Sequence, residues 1–155
     1  MSRKKIILLV YSTQTGRTLQ LVRSASEGIA ELADEIELRV MKALDAGVDE
    51  LMACDGLLLG TPENFGYMSG ALKDFLDRTY YPCEGQRIGL PYALLISAGN
   101  DGTGAVRAIE RIATGFGWHA ISPPLIVVGE PQPADLERSR ELGQTLAAGL
   151  SCGVF

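Results

Sequence analysis

The sequence predicts an α/β fold: a three-layer, doubly wound domain with a five-stranded parallel sheet in strand order 2-1-3-4-5. Three observations carry this expectation. Five apolar runs alternate with five segments of helical period, the pattern of a parallel sheet covered by helices on both faces. The first and third runs, residues 6–10 and 56–60, are almost continuously apolar, as strands buried on both sides are. Finally, three loops of unusual composition, 12–18, 61–70 and 97–104, follow the first, third and fourth runs. In such a sheet ligands bind outside the carboxyl ends of the strands, at the switch point between strands one and three.

Taken in order, residues 5–10 form the first strand. Leu19, Val22, Ala25, Ile29 and Ala33 then recur at helical spacing, with Arg23, Glu27, Glu31 and Asp34 on the other side, so a helix is expected over 17–33. Residues 35–41 alternate, Ile36, Leu38 and Val40 against Glu35, Glu37 and Arg39, which marks an edge strand. A short helix is expected over 45–54 and a buried strand over 55–61, closed by Thr61-Pro62, where a proline stops the ladder. Residues 63–70 read as a loop by their Pro and Gly punctuation. Residues 71–80 are amphipathic through Leu72, Phe75, Leu76 and Thr79, and 82–90 read as a loop. Residues 92–96 are the fourth strand, and 105–114 a helix with Val106, Ile109 and Ile112 as its apolar stripe. Residues 119–128 hold the fifth strand, in which Pro123-Pro124 suggest an edge or a bulge, and 134–150 the last helix, with Pro133 at its start. With no repeat, low-complexity tract or dividing linker, residues 1–155 form a single domain.

Composition excludes several functions. A formal net charge of −5 argues against non-specific binding to nucleic acid or to an anionic membrane. The apolar run 6–10 is too short for a membrane span or a signal-peptide core. Three widely spaced cysteines, Cys54, Cys83 and Cys152, give no disulfide framework and suit a reducing cytoplasm. With a single histidine, His119, they make no metal cluster, so no metal is expected. His119 and Trp118 read as packing residues at a strand start.

The chemistry lies in the three loops. The first, Tyr11-Ser12-Thr13-Gln14-Thr15-Gly16-Arg17-Thr18, joins a strand to a helix and carries four hydroxyls around one glycine. A helix start offers unpaired N–H groups and the positive end of the macrodipole, a ready site for phosphate. One hydroxyl would suffice for an ordinary N-cap. No lysine lies in the loop, so phosphate would be held by hydroxyls and backbone N–H groups rather than by a Walker-type lysine. The second loop offers Asn64, Phe65, Tyr67 and Met68 around Gly66, suited to one side of a planar ring, or else to the top of the core. The third carries Gly99, Gly102 and Gly104 with Asn100 and Asp101, where bare backbone can approach a ring, or else a plain turn caps the next helix. One phosphate and one broad polar aromatic ring describe FMN. A dinucleotide fold would want Gly-x-Gly-x-x-Gly after strand one and an acid at the end of strand two, which instead ends at Met41-Lys42. No Ser or Cys nucleophile elbow is present.

These residues resemble the flavodoxin superfamily across nearly the whole chain. The second loop and its helix, Gly60-Thr61-Pro62-Glu63-Asn64-Phe65-Gly66-Tyr67-Met68-Ser69-Gly70 into Leu72-Lys73-Asp74-Phe75-Leu76-Asp77-Arg78-Thr79, are most similar to the flavodoxin-like NAD(P)H:quinone oxidoreductases, the branch that includes the Trp-repressor-binding proteins. The resemblance implies FMN bound without a covalent link. It implies phosphate contacts from Ser12, Gln14, Thr15, Gly16, Arg17 and Thr18. Pro62, Glu63, Asn64, Phe65 and Gly66 would line the ring, and Ser97, Ala98, Gly99, Asn100 and Gly102 would take its pyrimidine side. Electrons would pass from NAD(P)H to a quinone or similar small acceptor, or, in the carrier reading, to a redox protein partner; a binding module without flavin is the third reading. The chain departs from the electron-carrying flavodoxins in lacking the tryptophan of the second loop and the tyrosine of the third that usually stack on the ring, which favours an open ring face. It departs from the quinone reductases in its short link between strand five and the last helix, residues 129–133, where they carry the long insertion that helps form their substrate site and tetramer. A homo-oligomer is left open, and a cytoplasmic location is expected.

Overall fold

The computed structural model describes residues 3–155. Its strands and helices alternate as β1 (Lys5–Tyr11), α1 (Arg17–Ala30), β2 (Ile36–Lys42), α2 (Val48–Ala53), β3 (Gly56–Asn64), β4 (Tyr67–Met68), α3 (Gly70–Cys83), β5 (Pro91–Ala98), α4 (Thr103–Phe116), β6 (His119–Ala120), β7 (Leu125–Val128) and α5 (Pro133–Ser151). The parallel sheet runs β2-β1-β3-β5, with β6 and β7 both on the outer side of β5. This is the expected 2-1-3-4-5 order, its fifth strand present in two pieces.

The three layers follow from the period of the central strands. Successive side chains point to opposite faces. Leu8 and Val10 therefore enter one core, with Leu57, Leu59, Leu72, Phe75 and Ile109, under α2, α3 and α4. Ile7 and Leu9 enter the other, with Leu21, Ala25, Ile29, Leu58, Leu142 and Leu146, under α1 and α5. The second face is drawn tight by two glycines. A Cβ on Gly28 would stand 2.0 Å from Arg140 O, and one on Gly143 would stand 2.1 Å from Ala25 O. Each helix thus presents bare backbone to the other, and α1 and α5 cross closer than any side chain allows.

The structure corrects the sequence reading at three places. Pro62 does not end β3, which continues to Asn64, where Glu63 and Asn64 pair antiparallel with Met68 and Tyr67. The β1 ladder has already stopped at Gly60, so the prolyl nitrogen sits where β3 has β5 as its only parallel neighbour. The loop 63–70 is accordingly a hairpin, with Phe65 at φ 50° and Gly66 at φ 73°, the positive pair of a type I′ turn. The fifth strand is not continuous: residues 121–124 lie between the pairings of Ala120 with Tyr92 and of Leu125 with Leu95. Four residues there face two on β5, because Pro123 and Pro124 have no N–H for a ladder. In β2, Ile36 is buried and Leu38 packs on the α1/α5 core, but Val40 is 44% exposed, as a strand with one neighbour permits.

Candidate functional site

The parallel registers bring the carboxyl ends of β1, β3 and β5 side by side: Tyr11 pairs with Gly60, and Pro62 with Ser97. The three loops leave from these ends, and hydrogen bonds tie each to the next. Ser12 N–H donates to Gly60 O at 3.0 Å. Ser12 Oγ pairs with Ser69 Oγ, which also accepts from Leu72 N–H at 3.1 Å and so caps α3. Ser69 N–H in turn donates to Thr61 Oγ1 at 3.0 Å. The buried Thr18 Oγ1 pairs with Ser97 Oγ at 2.7 Å, joining the first turn of α1 to the end of β5.

Between these loops lies a cleft of about 150 Å³ lined by Gln14, Thr15, Arg17, Thr18, Pro62, Glu63, Asn64, Ser97, Ala98 and Gly99. Among the residues singled out from sequence, ten line this one space. The other six lie around it. Ser12 and Gly16 belong to the turn that carries its first wall. Phe65 and Gly66 form the exposed tip of the hairpin, with the Phe65 ring fully in solvent. Asn100 is exposed beyond Gly99, and Gly102 is buried at the start of α4.

The first wall has the character of an anion site. Gly16 is the N-cap of α1, left-handed at φ 91° and ψ −3°, and no side chain caps the helix. Its N–H is held by Thr13 Oγ1 at 3.2 Å, which shapes the turn. A Cβ at Gly16 would meet nothing within 4 Å, so the glycine serves conformation and leaves open space above the helix start. The two hydroxyl pairs add donors: in each, one hydroxyl donates to the other, and the acceptor's own proton stays free for an incoming oxygen. These residues fit a phosphate monoester through N–H and O–H donors. Arg17 is turned aside: its Nε donates to Glu130 at 3.3 Å, and Gln20 Nε2 donates to the same carboxylate at 3.0 Å.

Glu63 has a role the sequence did not disclose. Its carboxylate accepts from Gly102 N–H at 3.2 Å, Gly104 N–H at 2.9 Å and Ala105 N–H at 3.2 Å. It thereby caps α4 from another loop, a carboxylate at the positive end of a helix. Gly102, left-handed at φ 76°, is the N-cap and offers no side chain of its own. Gly104 lets α4 approach the hairpin, since a Cβ there would stand 2.0 Å from Gly66 O. Of the three glycines expected to bare the backbone, only Gly99 lines the cleft; Gly102 and Gly104 hold loop to helix. Asp101 accepts from Thr103 N–H at 3.0 Å and from its hydroxyl at 2.8 Å, and these bonds hold its carboxyl below the usual range.

Sequence reasoning missed Ser69, Thr61 and Glu130. Ser69 carried a signal, a serine directly before a helical period; Glu130, 113 residues from Arg17, carried none. Among the described residues no group of three His, Cys, Asp or Glu side chains is placed to hold a metal ion.

Comparison with known proteins places the chain among flavoprotein relatives. The chain is similar to a flavodoxin of Aquifex aeolicus strain VF5, 27% identical over 91% of this chain and 84% of that protein. It is also similar to an NAD(P)H dehydrogenase (quinone) of Acidithiobacillus ferrooxidans, 26% identical over 81% of this chain and 70% of that one. Among solved structures, a flavodoxin from the domain Archaea superposes with a TM-score of 0.83 at 22% identity, covering 94% of this chain and 98% of that one, which establishes the fold. The family model described as NADPH-dependent FMN reductase matches residues 5–132, from the first residue of β1 to the residue before α5, and so takes in all three loops of the cleft. With that span matched, the chain belongs to the NADPH-dependent FMN reductase family.

Proposed function

We propose that this protein is an FMN-binding oxidoreductase that takes electrons from NAD(P)H and passes them to a quinone or similar small acceptor. The observation that carries the proposal is the convergence of three loops on one cleft whose first wall is an uncapped helix N-terminus. When bound, FMN would supply the redox chemistry. The protein contributes position and electrostatics. Backbone N–H groups of residues 14, 15, 17 and 18, with the Thr15, Thr18 and Ser12 hydroxyls, would hold the phosphate, while the Gly16 N–H is kept by Thr13. Pro62, Glu63 and Asn64 would form one side of the ring site, and Ser97, Ala98 and Gly99 the other. Glu63 acts as a positioning residue, because its carboxylate is spent on α4 and fixes the gap between the second and third loops.

Ring access favours the enzyme. Phe65 stands out in solvent at the hairpin tip, and the third loop presents Gly99 and Asn100 where a stacking aromatic would close the other face. Among the described residues no helix is long and apolar enough to cross a membrane. A cytoplasmic location is part of the proposal and rests on three cysteines left as free thiols.

The test is direct. The purified protein should be yellow and release FMN on denaturation, and the loaded protein should consume NADPH faster when a soluble benzoquinone is added. A second reading, an electron carrier for a redox protein, is favoured by the similarity to a flavodoxin over 91% of the chain. Its acidic charge would suit docking on a basic partner. Flavin uptake without NADPH consumption would select the carrier, and a protein that takes up no FMN would refute both.

A further inference from the structure

The link between the last strand and the last helix, residues 129–132, is tied to the cleft from two sides. Gly129, left-handed at φ 79°, donates its N–H to Ala98 O at 2.9 Å, and Ala98 lines the cleft. The next residue, Glu130, reaches the first turn of α1. One of its carboxylate oxygens accepts from Arg17 Nε at 3.3 Å, and the other from Gln20 Nε2 at 3.0 Å. Gln132 Nε2 donates to Glu130 O at 3.1 Å and steadies the backbone of the link.

Arg17 is the only formally charged residue of the first loop, and it lines the cleft. A phosphate at the start of α1 and the Glu130 carboxylate would therefore compete for one guanidinium. The contest favours phosphate. The Arg17 and Glu130 side chains are 40% and 60% exposed, and a single Nε–H bond joins them rather than a two-pronged one. An exposed pair of this kind shifts an equilibrium by about two- to five-fold. A phosphate monoester carries about two negative charges at neutral pH and offers three acceptor oxygens, to which a guanidinium fork is matched. Gln20 keeps its own hold on the carboxylate, so Glu130 stays in place when Arg17 leaves.

We propose that Glu130 is a positioning residue that sets the affinity of the cleft for phosphate. It engages Arg17 and yields it to an incoming monoester, so that recruiting the arginine first breaks this pair. Removing the Glu130 charge then strengthens phosphate binding. This role rests on the proposed binding of FMN phosphate at the first loop. A tie that served only the fold would act the other way: cutting it would loosen the first wall and weaken FMN and riboflavin alike.

The test is fluorescence titration of the full flavin-free chain with FMN and with riboflavin, which lacks the phosphate. Glu130→Gln keeps an oxygen for Gln20 and should bind FMN about three- to five-fold more tightly, with riboflavin unchanged. Arg17→Gln should weaken FMN about ten-fold, the size of one charge-assisted hydrogen bond. In that background Glu130→Gln should change FMN affinity by less than about two-fold, because the two side chains act through one contact. The Nε–H signal of Arg17 in nitrogen-edited spectra should move when inorganic phosphate is added. An FMN affinity unchanged or lowered in Glu130→Gln, an equal gain for riboflavin, a gain that survives intact in Arg17→Gln, or an unmoved Arg17 signal would overturn the assignment. The parent proposal fails separately. FMN uptake indifferent to Glu130→Gln defeats the role of Glu130 alone. Inorganic phosphate bound at residues 14–18 and strengthened by Glu130→Gln, with no uptake of FMN, defeats the flavin reading and upholds the contest for Arg17.

Discussion

Removing the Glu63 carboxylate should loosen the site and the fold together. Three backbone N–H groups at the start of α4 have this side chain as their acceptor, at 2.9–3.2 Å. The glycine N-cap supplies none. Losing a helix cap costs about 0.5–2 kcal/mol, and losing hydrogen bonds to a charged group costs about 1.5–3 kcal/mol. These overlap, so Glu63→Ala should cost about 2–3 kcal/mol in total. Glu63→Gln keeps an acceptor but loses the charge that favours the helix start, and should cost about 1 kcal/mol. For a domain of this size, each kcal/mol lowers Tm by about 2–4 °C, so the alanine variant should melt about 4–12 °C below the wild type. Urea titration of the flavin-free proteins, with m unchanged, measures the same difference. Hydrogen exchange should localise it, with lost protection at Gly102, Gly104 and Ala105 beyond the global change. Two results would refute the reasoning: a Glu63→Ala cost below about 0.5 kcal/mol, or a glutamine variant as damaged as the alanine one.

Other expectations follow from the same geometry. Gly143→Ala puts a methyl 2.1 Å from Ala25 O, where backbone must move, so a loss of about 3 kcal/mol is expected in chemical denaturation; Gly153→Ala, an exposed glycine with nothing within 4 Å, should cost only the strain of its positive φ. Gly16→Asp places a carboxylate beside the uncapped start of α1 and should abolish FMN uptake, measured by fluorescence titration, whereas retained affinity would refute the assignment of the first loop. In the native protein a thiol reagent at neutral pH should label Cys152 fast and Cys54 slowly, since Cys152 is exposed while burial pushes the Cys54 thiol up to about 12. The same shift has a sign for stability. The folded state keeps the Cys54 proton that the unfolded chain releases near the ordinary value of 9.0, so this contribution is whole below pH 9 and is lost as pH rises towards 12. A stability that climbs through that window would contradict the burial of Cys54.

The sequence by itself determined the layers, the strand order and the ends of the strands where a ligand could sit. Those depend on period: Ile7, Leu8, Leu9 and Val10 can be hidden only if both faces of β1 are covered, and that requirement is written in consecutive residues. It also marked the stretches of chain that meet, because hydroxyls around Gly16 and a Pro-Glu-Asn-Phe-Gly run are local facts. Tertiary structure alone decided what each of those side chains does. Glu63 turns to α4, Arg17 turns to Glu130, and Thr18 reaches Ser97. Each outcome depends on a partner between 39 and 113 residues away, as with Glu63 and Gly102 or Arg17 and Glu130. A periodic pattern fixes which face of an element is buried; it holds no information about which distant donor will lie opposite a given carboxylate. Pro62 shows the same boundary, since a proline stops a ladder only if a neighbour needs its N–H, and the neighbour is set by the fold.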